Sequence, residues 1–354
     1  MTDRVRIAHI GVTYPHGEGY IESLLLTPGV ELVALYDSDP HTAKDHVPAE
    51  LQYLEIYDDF ARLLEKERPE AVLITQPNDT TSRFMAQAAA AGAHVFAEKP
   101  CARTASELVP AVDAIQKAGV QFATGYTRHV SPAGIAIKDI VDKGILGRLV
   151  SVEGSWVTTS VQTRGPDHPM FSAERNGGGI LHWLGCHWLD YMRWSTSAEV
   201  TDVAAILGTL SGEPIDVEDT AALSLQYDNG MIGSLHCSYV TDRMPHQLFF
   251  GLRGTDGWLR WDYMAGEVEL RSALADWAAG VTQVLRFETD HVGGYEMGDG
   301  VASLRRFIAS IREGRPPAVS LQDALRVLEV VDAAHESSRT GRRVSPVRAD
   351  QASR

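Results

Sequence analysis

Along the first 125 residues, short apolar runs alternate with amphipathic stretches. VRIAHIG (5–11) is an apolar run closed by a glycine. GEGYIESLLL (17–26) has helical spacing and is stopped by Pro28-Gly29. VELVALYD (30–37) predicts a second strand, DDFARLLEKE (58–67) an amphipathic helix before Pro69, and AVLIT (71–75) a third strand. TTSRFMAQAAAAG (80–92) predicts an alanine-rich helix ended by glycine, and HVFAE (94–98) the next strand. Thr104 with Glu107 predicts a capping box for a helix running to Ala118-Gly119, and VQFATGY (120–126) closes the series. Strands alternating with helices at this spacing predict a parallel doubly wound sheet, with ligands at the carboxyl ends of the strands.

After about residue 150 the period changes. LVSVEGSWV (149–157), VTDVAAILGTL (200–210), DTAALSLQYDNGMIGSLHCSYV (219–240), HQLFFGLRG (246–254) and GWLRWDY (257–263) predict strands, with a hairpin turn at Asp228-Asn229-Gly230. The expectation is an α/β chain: residues 1–125 as one domain, and 126–345 as a second with a large open, mostly antiparallel sheet. A partner subunit would cover that sheet. A final helix is expected over 321–338.

Composition removes several function classes. The formal charge of −15 lacks the basic footprint of a nucleic-acid binder. No apolar run is long enough to span a membrane, and the N-terminus leads into a strand rather than a signal peptide. Three widely spaced cysteines, Cys101, Cys186 and Cys237, predict reduced thiols and a cytoplasmic protein. The last lysine is Lys143, so a catalytic lysine has to come from the first half of the chain.

A dinucleotide-binding turn would follow the first strand, but Gly11-Val12-Thr13-Tyr14-Pro15-His16 keeps only the first glycine of that motif. The acid ending the second strand is the better signal. Asp37 is placed to bind a ribose, and Ser38-Asp39-Pro40 after it offers no arginine for a 2′-phosphate, which favours NAD over NADP.

The segments AVLITQPN and AGAHVFAEKP (within 71–100), GYTRH (125–129), GILGRLVSV (144–152), the GGG at 177–179 with His187, and VEDTAALSLQYDNGMIGSL (217–235) together resemble the glucose–fructose oxidoreductase, inositol dehydrogenase and MocA-like family. The resemblance covers nearly the whole chain. It implies an N-terminal Rossmann domain, a C-terminal domain with an antiparallel sheet, and NAD(P)-dependent redox chemistry on sugars and polyols. It also implies homodimers or homotetramers built through the open sheet. Thr75, Gln76, Pro77, Asn78 and Glu98 would join Gly11, Thr13, Tyr14, Pro15, His16, Asp37, Ser38 and Lys99 around the cofactor. Lys99 and His187 would be the catalytic pair.

Hydride transfer from a secondary alcohol needs a group that takes the hydroxyl proton and contacts that hold the carbon in place. Lys99 at a strand end suits the first need. His187 gives and takes protons near neutral pH. The family commonly has an aspartate four residues before that histidine, on the same helical face. Here the position is Trp183, a donor only. Three arrangements remain open: Lys99 acts alone with His187 assisting; Asp190, Asp167 or Asp219 supplies the missing carboxylate; or Trp183 stacks on a sugar ring. Trp183 and Trp188 as core aromatics are the plain alternative. Arg128, His129, Trp156, Arg164, His182 and Tyr295 complete the candidate substrate contacts. Cys186 is expected to be a buried thiol, and Thr81 stands where the family often has histidine. No metal is expected, since His182 and His187 are five apart rather than four. The alternative would draw on His129, His168, His182 and His187. Besides a sugar or polyol dehydrogenase, two functions stay open. One is a glycoside hydrolase that uses retained NAD for transient oxidation, elimination, water addition and re-reduction. The other is a non-catalytic NAD-binding sensor.

Overall fold

The computed structural model describes residues 4–239, 247–274, 281–288 and 292–352. The ends of two sequence segments, Val240 and His246, lie outside them. The chain forms two compact units: Met1–Val130 with Thr289–Leu325, and Ser131–Glu288 with Arg326–Arg354.

The first unit contains a six-stranded sheet. Its strands are β1 (Val5–Ile10), β2 (Val30–Tyr36), β3 (Ile56–Tyr57), β4 (Ala71–Ile74), β5 (His94–Ala97) and β6 (Phe122–Thr124). They lie in the order β3-β2-β1-β4-β5-β6, and every neighbouring pair is parallel. This is the order of a dinucleotide-binding doubly wound sheet. β4 is buried at all four positions, as a strand covered on both faces has to be. Its helices start where the sequence signals them. Asp59 caps Phe60–Glu67 through the Arg62 N–H, and Thr104 caps Ala105–Ala118 through the Glu107 N–H, each cap contributing about 1 kcal/mol. The capping box is completed differently, because the Glu107 carboxylate pairs with Arg103.

One boundary differs from the sequence expectation. Thr289–Leu325 belongs to the first unit rather than to everything after residue 125. Helix Met297–Glu313 places Leu304 and Phe307 in the core with Val5, Ile7, Tyr20 and Phe96.

The second unit holds an eight-stranded sheet. Its strands are β7 (Leu149–Val157), β8 (Val200–Gly208), β9 (Thr220–Tyr227), β10 (Ile232–Ser238), β11 (Gln247–Gly254), β12 (Gly257–Asp262), β13 (Glu267–Ser272) and β14 (Gln283–Arg286). The order is β14-β13-β12-β11-β7-β10-β9-β8, and only β7–β10 is parallel. β13 and β14 extend it beyond the strands read from sequence. Strict alternation in β9 sends Ala221, Leu223, Leu225 and Tyr227 inward. Helix Cys186–Thr196 packs on this sheet. Trp188, fully buried, lies among Trp156, Phe250, Trp261 and Tyr191 and donates its indole N–H to the Ser155 carbonyl at 2.9 Å. Trp188 is therefore a core aromatic. The three cysteines are free and buried. No helix among the described residues is long and apolar enough to cross a membrane.

Candidate active site

In the first unit the turn after β1 lies hard against the end of β4. Gly11 has φ 103°, and a Cβ on it would come 2.0 Å from the Thr75 carbonyl oxygen, so only glycine fits. Thr75 seals the contact by donating to the Gly11 carbonyl at 2.5 Å. Tyr14 and Pro15 are half-buried, and helix Gly17–Leu25 follows. Asp37 is buried at the end of β2. Its Oδ2 accepts the Thr13 N–H at 2.8 Å and the Thr13 hydroxyl at 2.9 Å, and its Oδ1 accepts the Asp39 N–H at 3.1 Å. Thr13 thus spends its hydroxyl on Asp37. Ser38 is exposed beside it. Beyond β4, Gln76 is half-buried, and Pro77 and the buried Asn78 open the helix Asn78–Ala90, where the Thr81 hydroxyl bonds the Gln76 carbonyl. A tight glycine turn, a helix start and a strand-end carboxylate are what a dinucleotide needs from this end of a parallel sheet.

At the end of β5 stands a charged cluster. Lys99 is 2 % exposed, and its Nζ lies 3.4 Å from Glu98 Oε1. The same oxygen receives the Tyr295 hydroxyl at 3.2 Å and faces His16 Nδ1 at 3.3 Å, while Tyr20 donates to Oε2 at 2.5 Å. Burial opposes ionisation of Glu98, but Lys99, His16 and Tyr20 hold its pKa below the ordinary glutamate value. Burial lowers the pKa of His16, against the pull of Glu98. It raises Tyr20 and Tyr295 well above a free phenol, and the Glu98 charge adds to this. The rings of His16 and Tyr295 stack at 4.2 Å. Gly125 backs the cluster, for a Cβ there would lie 2.7 Å from Glu98 Oε2. Arg128 is buried and pairs with Glu296 at 3.3 Å, and His129 Nδ1 meets the Ala318 carbonyl at 2.9 Å.

In the second unit His187 opens helix Cys186–Thr196. It is 1 % exposed, with its ring 5.4 Å from that of Trp156. The residues ahead of it do not follow α-helical spacing. Leu181–Gly185 is a π-turn, in which the Cys186 N–H bonds the Leu181 carbonyl five residues back. The His182 carbonyl, which an α-helix would have matched with that N–H, takes the Cys186 thiol instead at 2.9 Å. Reading Trp183 and His187 as one α-helical turn therefore misjudges this face. Trp183 is 4 % exposed.

The proposed substitute carboxylates separate clearly. Asp219 is committed to backbone: it accepts N–H bonds from Leu210 and Ser211 and the Thr220 hydroxyl. Against burial, these hold its pKa down. Asp167 is exposed and Asp190 is buried. Arg164 is exposed, 3.5 Å from His168, whose other ring nitrogen caps the Met170 N–H.

Two family models match this chain. The description "Oxidoreductase family, NAD-binding Rossmann fold" matches residues 5–126, and "GFO/IDH/MocA C-terminal domain" matches residues 135–260. The chain belongs to the GFO/IDH/MocA oxidoreductase family. Among its relatives is the scyllo-inositol 2-dehydrogenase (NAD(+)) of Bacillus subtilis, 27 % identical over 96 % of both chains. Another is the myo-inositol 2-dehydrogenase of Thermotoga maritima, 27 % identical over 79 % of this chain and 81 % of that one. Among solved structures, GenD2 from gentamicin A biosynthesis in complex with NAD is 26 % identical, with TM-score 0.82 over 98 % of this chain and 97 % of that one. A levoglucosan dehydrogenase with NADH and L-sorbose, 21 % identical, shares the fold with TM-score 0.87 over 98 % and 100 %. The protein is thus a member of an NAD-binding family with sugar and polyol dehydrogenases among its members, and its first unit is an NAD-binding Rossmann domain.

For a GFO/IDH/MocA chain, the residues missed at the sequence level are Tyr20 and Glu296. Tyr20 stands within the amphipathic stretch 17–26, where a tyrosine on an otherwise buried helix face signals a hydroxyl needing a partner. Among the described residues, the cluster of three potential metal ligands is His182, Glu218 and His335, not the four histidines considered from sequence.

Proposed function

We propose that the protein is an NAD-dependent dehydrogenase acting on a secondary hydroxyl of a sugar, polyol or glycoside. The observation that carries this reading is Lys99, a buried lysine at a strand's carboxyl end, set against a Glu98 carboxylate that two tyrosines and a histidine hold in place. Gly11, Thr13, Asp37 and the Thr75–Asn78 segment hold the cofactor, and the absence of an arginine after Asp37 supports NAD over NADP. Bound NAD supplies the acceptor for the hydride. Lys99 rests as the ammonium partner of Glu98 and gives that proton to solvent before the reaction; as the hydride then leaves the carbinol carbon with its electron pair, the oxygen's proton passes to the neutral Lys99 amine, and C=O forms. Glu98 compensates the resulting ammonium without moving. His187 hydrogen-bonds the substrate and assists the proton. Trp183 supplies no carboxylate, so the proton route relies on Lys99.

The open face of the eight-stranded sheet, with Ile206 and Ile232 exposed at 79 % and 61 %, supports a homo-oligomer built through it. Light scattering during size exclusion tests that point.

The decisive experiment quantifies the nucleotides released from denatured, purified protein and then assays substrates. Little bound cofactor, with nicotinamide absorbance rising on sugars or polyols, is the expected result. Near-stoichiometric NAD with glycoside cleavage and no net redox change would favour the transient-oxidation mechanism instead. Bound NADP would overturn the role given to Asp37.

A further inference from the structure

The second unit contains a cluster that the redox reading does not use. One nitrogen of His182, one of His335 and one oxygen of Glu218 lie within 4.8 Å of one another. They come from three distant segments: the π-turn, the connection leading into β9, and helix Leu321–Thr340. Glu218 is buried, and its carboxylate is fixed by the N–H groups of Gly179 at 2.8 Å and Leu181 at 3.1 Å. His335 Nε2 is a buried atom that makes no hydrogen bond and stands 4.0 Å from Glu218 Oε1. A Cβ on Gly178 would lie 2.4 Å from His182 Nδ1 and 3.0 Å from His335 Nε2. Both imidazole nitrogens therefore flank one small space, which glycine leaves open.

We propose that His182, Glu218 and His335 bind a divalent transition-metal cation, with zinc as the ion that suits the donors. Two imidazoles and a carboxylate are a set zinc accepts, with water in a fourth position. Ligand atoms about 2.0–2.2 Å from a tetrahedral ion sit roughly 3.3–3.6 Å apart. Closing the 4.0 Å gap therefore needs a small swing, and His335, at 35 % the most exposed of the three, can make it. The two backbone donors on Glu218 orient the carboxylate as outer bonds orient a metal ligand, and each oxygen keeps a lone pair. The plainer arrangement, a Glu218–His335 ion pair, has to work at 4.0 Å with a carboxylate already holding two donors. A bound ion ties the glycine segment ahead of His187 to the sheet and to the C-terminal helix, and so stabilises the folded unit.

The test uses the full chain, stripped with a chelator and dialysed, and needs neither NAD nor a substrate. Zinc is titrated against a chromophoric competitor, cobalt binding is followed by its visible bands, and the thermal midpoint is read with and without zinc. The expected result is close to one equivalent per chain, a raised midpoint, and X-ray absorption of the zinc form showing imidazole ligands. His335→Gln should weaken binding by about tenfold or more and abolish the midpoint gain. Substoichiometric zinc, a zinc spectrum without imidazole, or equal uptake by His335→Gln would each overturn the proposal. The X-ray absorption arm uses the wild-type chain, so it decides the matter even where the variant folds poorly. A failure here leaves the dehydrogenase reading intact, and the reverse holds too.

Discussion

Glu98→Gln isolates what the buried carboxylate contributes. In the folded chain Glu98 is 7 % exposed and Lys99 2 %, so solvent screens their interaction little. Tyr20 at 2.5 Å and Tyr295 at 3.2 Å donate to a charged acceptor. Replacing that acceptor by a neutral amide weakens each bond by about 1 kcal/mol. Lys99, buried and 3.4 Å away, loses the Glu98 carboxylate that it faces, and removing one side of a buried charged pair costs about 3–5 kcal/mol. Relief of the carboxylate's own burial offsets part of the sum. The net expectation is a loss of about 3–5 kcal/mol, or roughly 10 °C in the thermal midpoint of the first unit. Urea denaturation of the NAD-free protein measures it. Tyr20→Phe alone should cost about 1 kcal/mol, and less than half of that in the Glu98→Gln background, because the bond it deletes has already been weakened. The double variant Glu98→Leu/Lys99→Met should recover most of the loss. A Glu98→Gln protein within about 1 kcal/mol of wild type, with no coupling to Tyr20, would refute the idea that this carboxylate is the hub of the cluster.

Three further outcomes are expected. Lys99→Met should lower kcat by about 10²–10⁴ while NAD binding, followed by fluorescence, persists; a kcat within tenfold of wild type would remove Lys99 from the proton route. Asp37→Ala should raise the KM for NAD by about tenfold or more, since a charged acceptor is lost, and should leave the KM for NADP unchanged or lower; an unchanged KM for NAD contradicts the ribose role. His9 is fully buried beside Thr75, and burial depresses its pKa from 6.5 to about 3. Its folded value lies below the unfolded one. The stability it contributes is thus complete above 6.5 and is lost as pH falls towards 3. Between pH 7 and pH 5 the wild type should lose about 2 kcal/mol through this group, and His9→Gln should lose correspondingly less in paired urea curves.

The Rossmann half was legible because its signals are local. Apolar runs, glycine stops and the Thr104 cap each act within a few residues, and the five strands read from them all take their places in the parallel sheet. The misses have the same explanation in reverse. Ile56–Tyr57 is two residues long, too short for a period. Glu267–Ser272 alternates cleanly, yet its three charged positions hide a strand near the sheet's edge. Helix Met297–Glu313 sits directly behind a glycine-rich stretch, and those glycines masked the spacing of Val301, Leu304 and Phe307 that buries it in the first unit. The return of Thr289–Leu325 to the first unit was hidden for that reason. At the candidate site Lys99 and Glu98 were legible from their motif. Their partners were not, because His16, Tyr20 and Tyr295 reach Glu98 from 82, 78 and 197 residues away.

The departures from the familiar nucleotide turn are physically connected. Where the motif has its second glycine, Thr13 stands, and both its N–H and its hydroxyl go to Asp37, so the side chain clamps the strand-end acid instead of clearing space. Where the third glycine would stand, His16 takes φ 77°, a left-handed backbone that glycine adopts freely and histidine at a cost. That cost is offset by what the ring gains, a contact with Glu98 at 3.3 Å and a stack on Tyr295 at 4.2 Å. Tyr295 in turn bonds Glu98, and its backbone N–H bonds the Gly19 carbonyl at 3.0 Å on the helix that His16 begins. A glycine restored at 16 would relax the backbone but strip one donor and one ring from the Lys99–Glu98 cluster. The turn and the Lys99–Glu98 cluster are thus one packed assembly within the first unit. The substitution of histidine for glycine is better understood as rebuilding the surroundings of Glu98 than as decay of a nucleotide-binding motif.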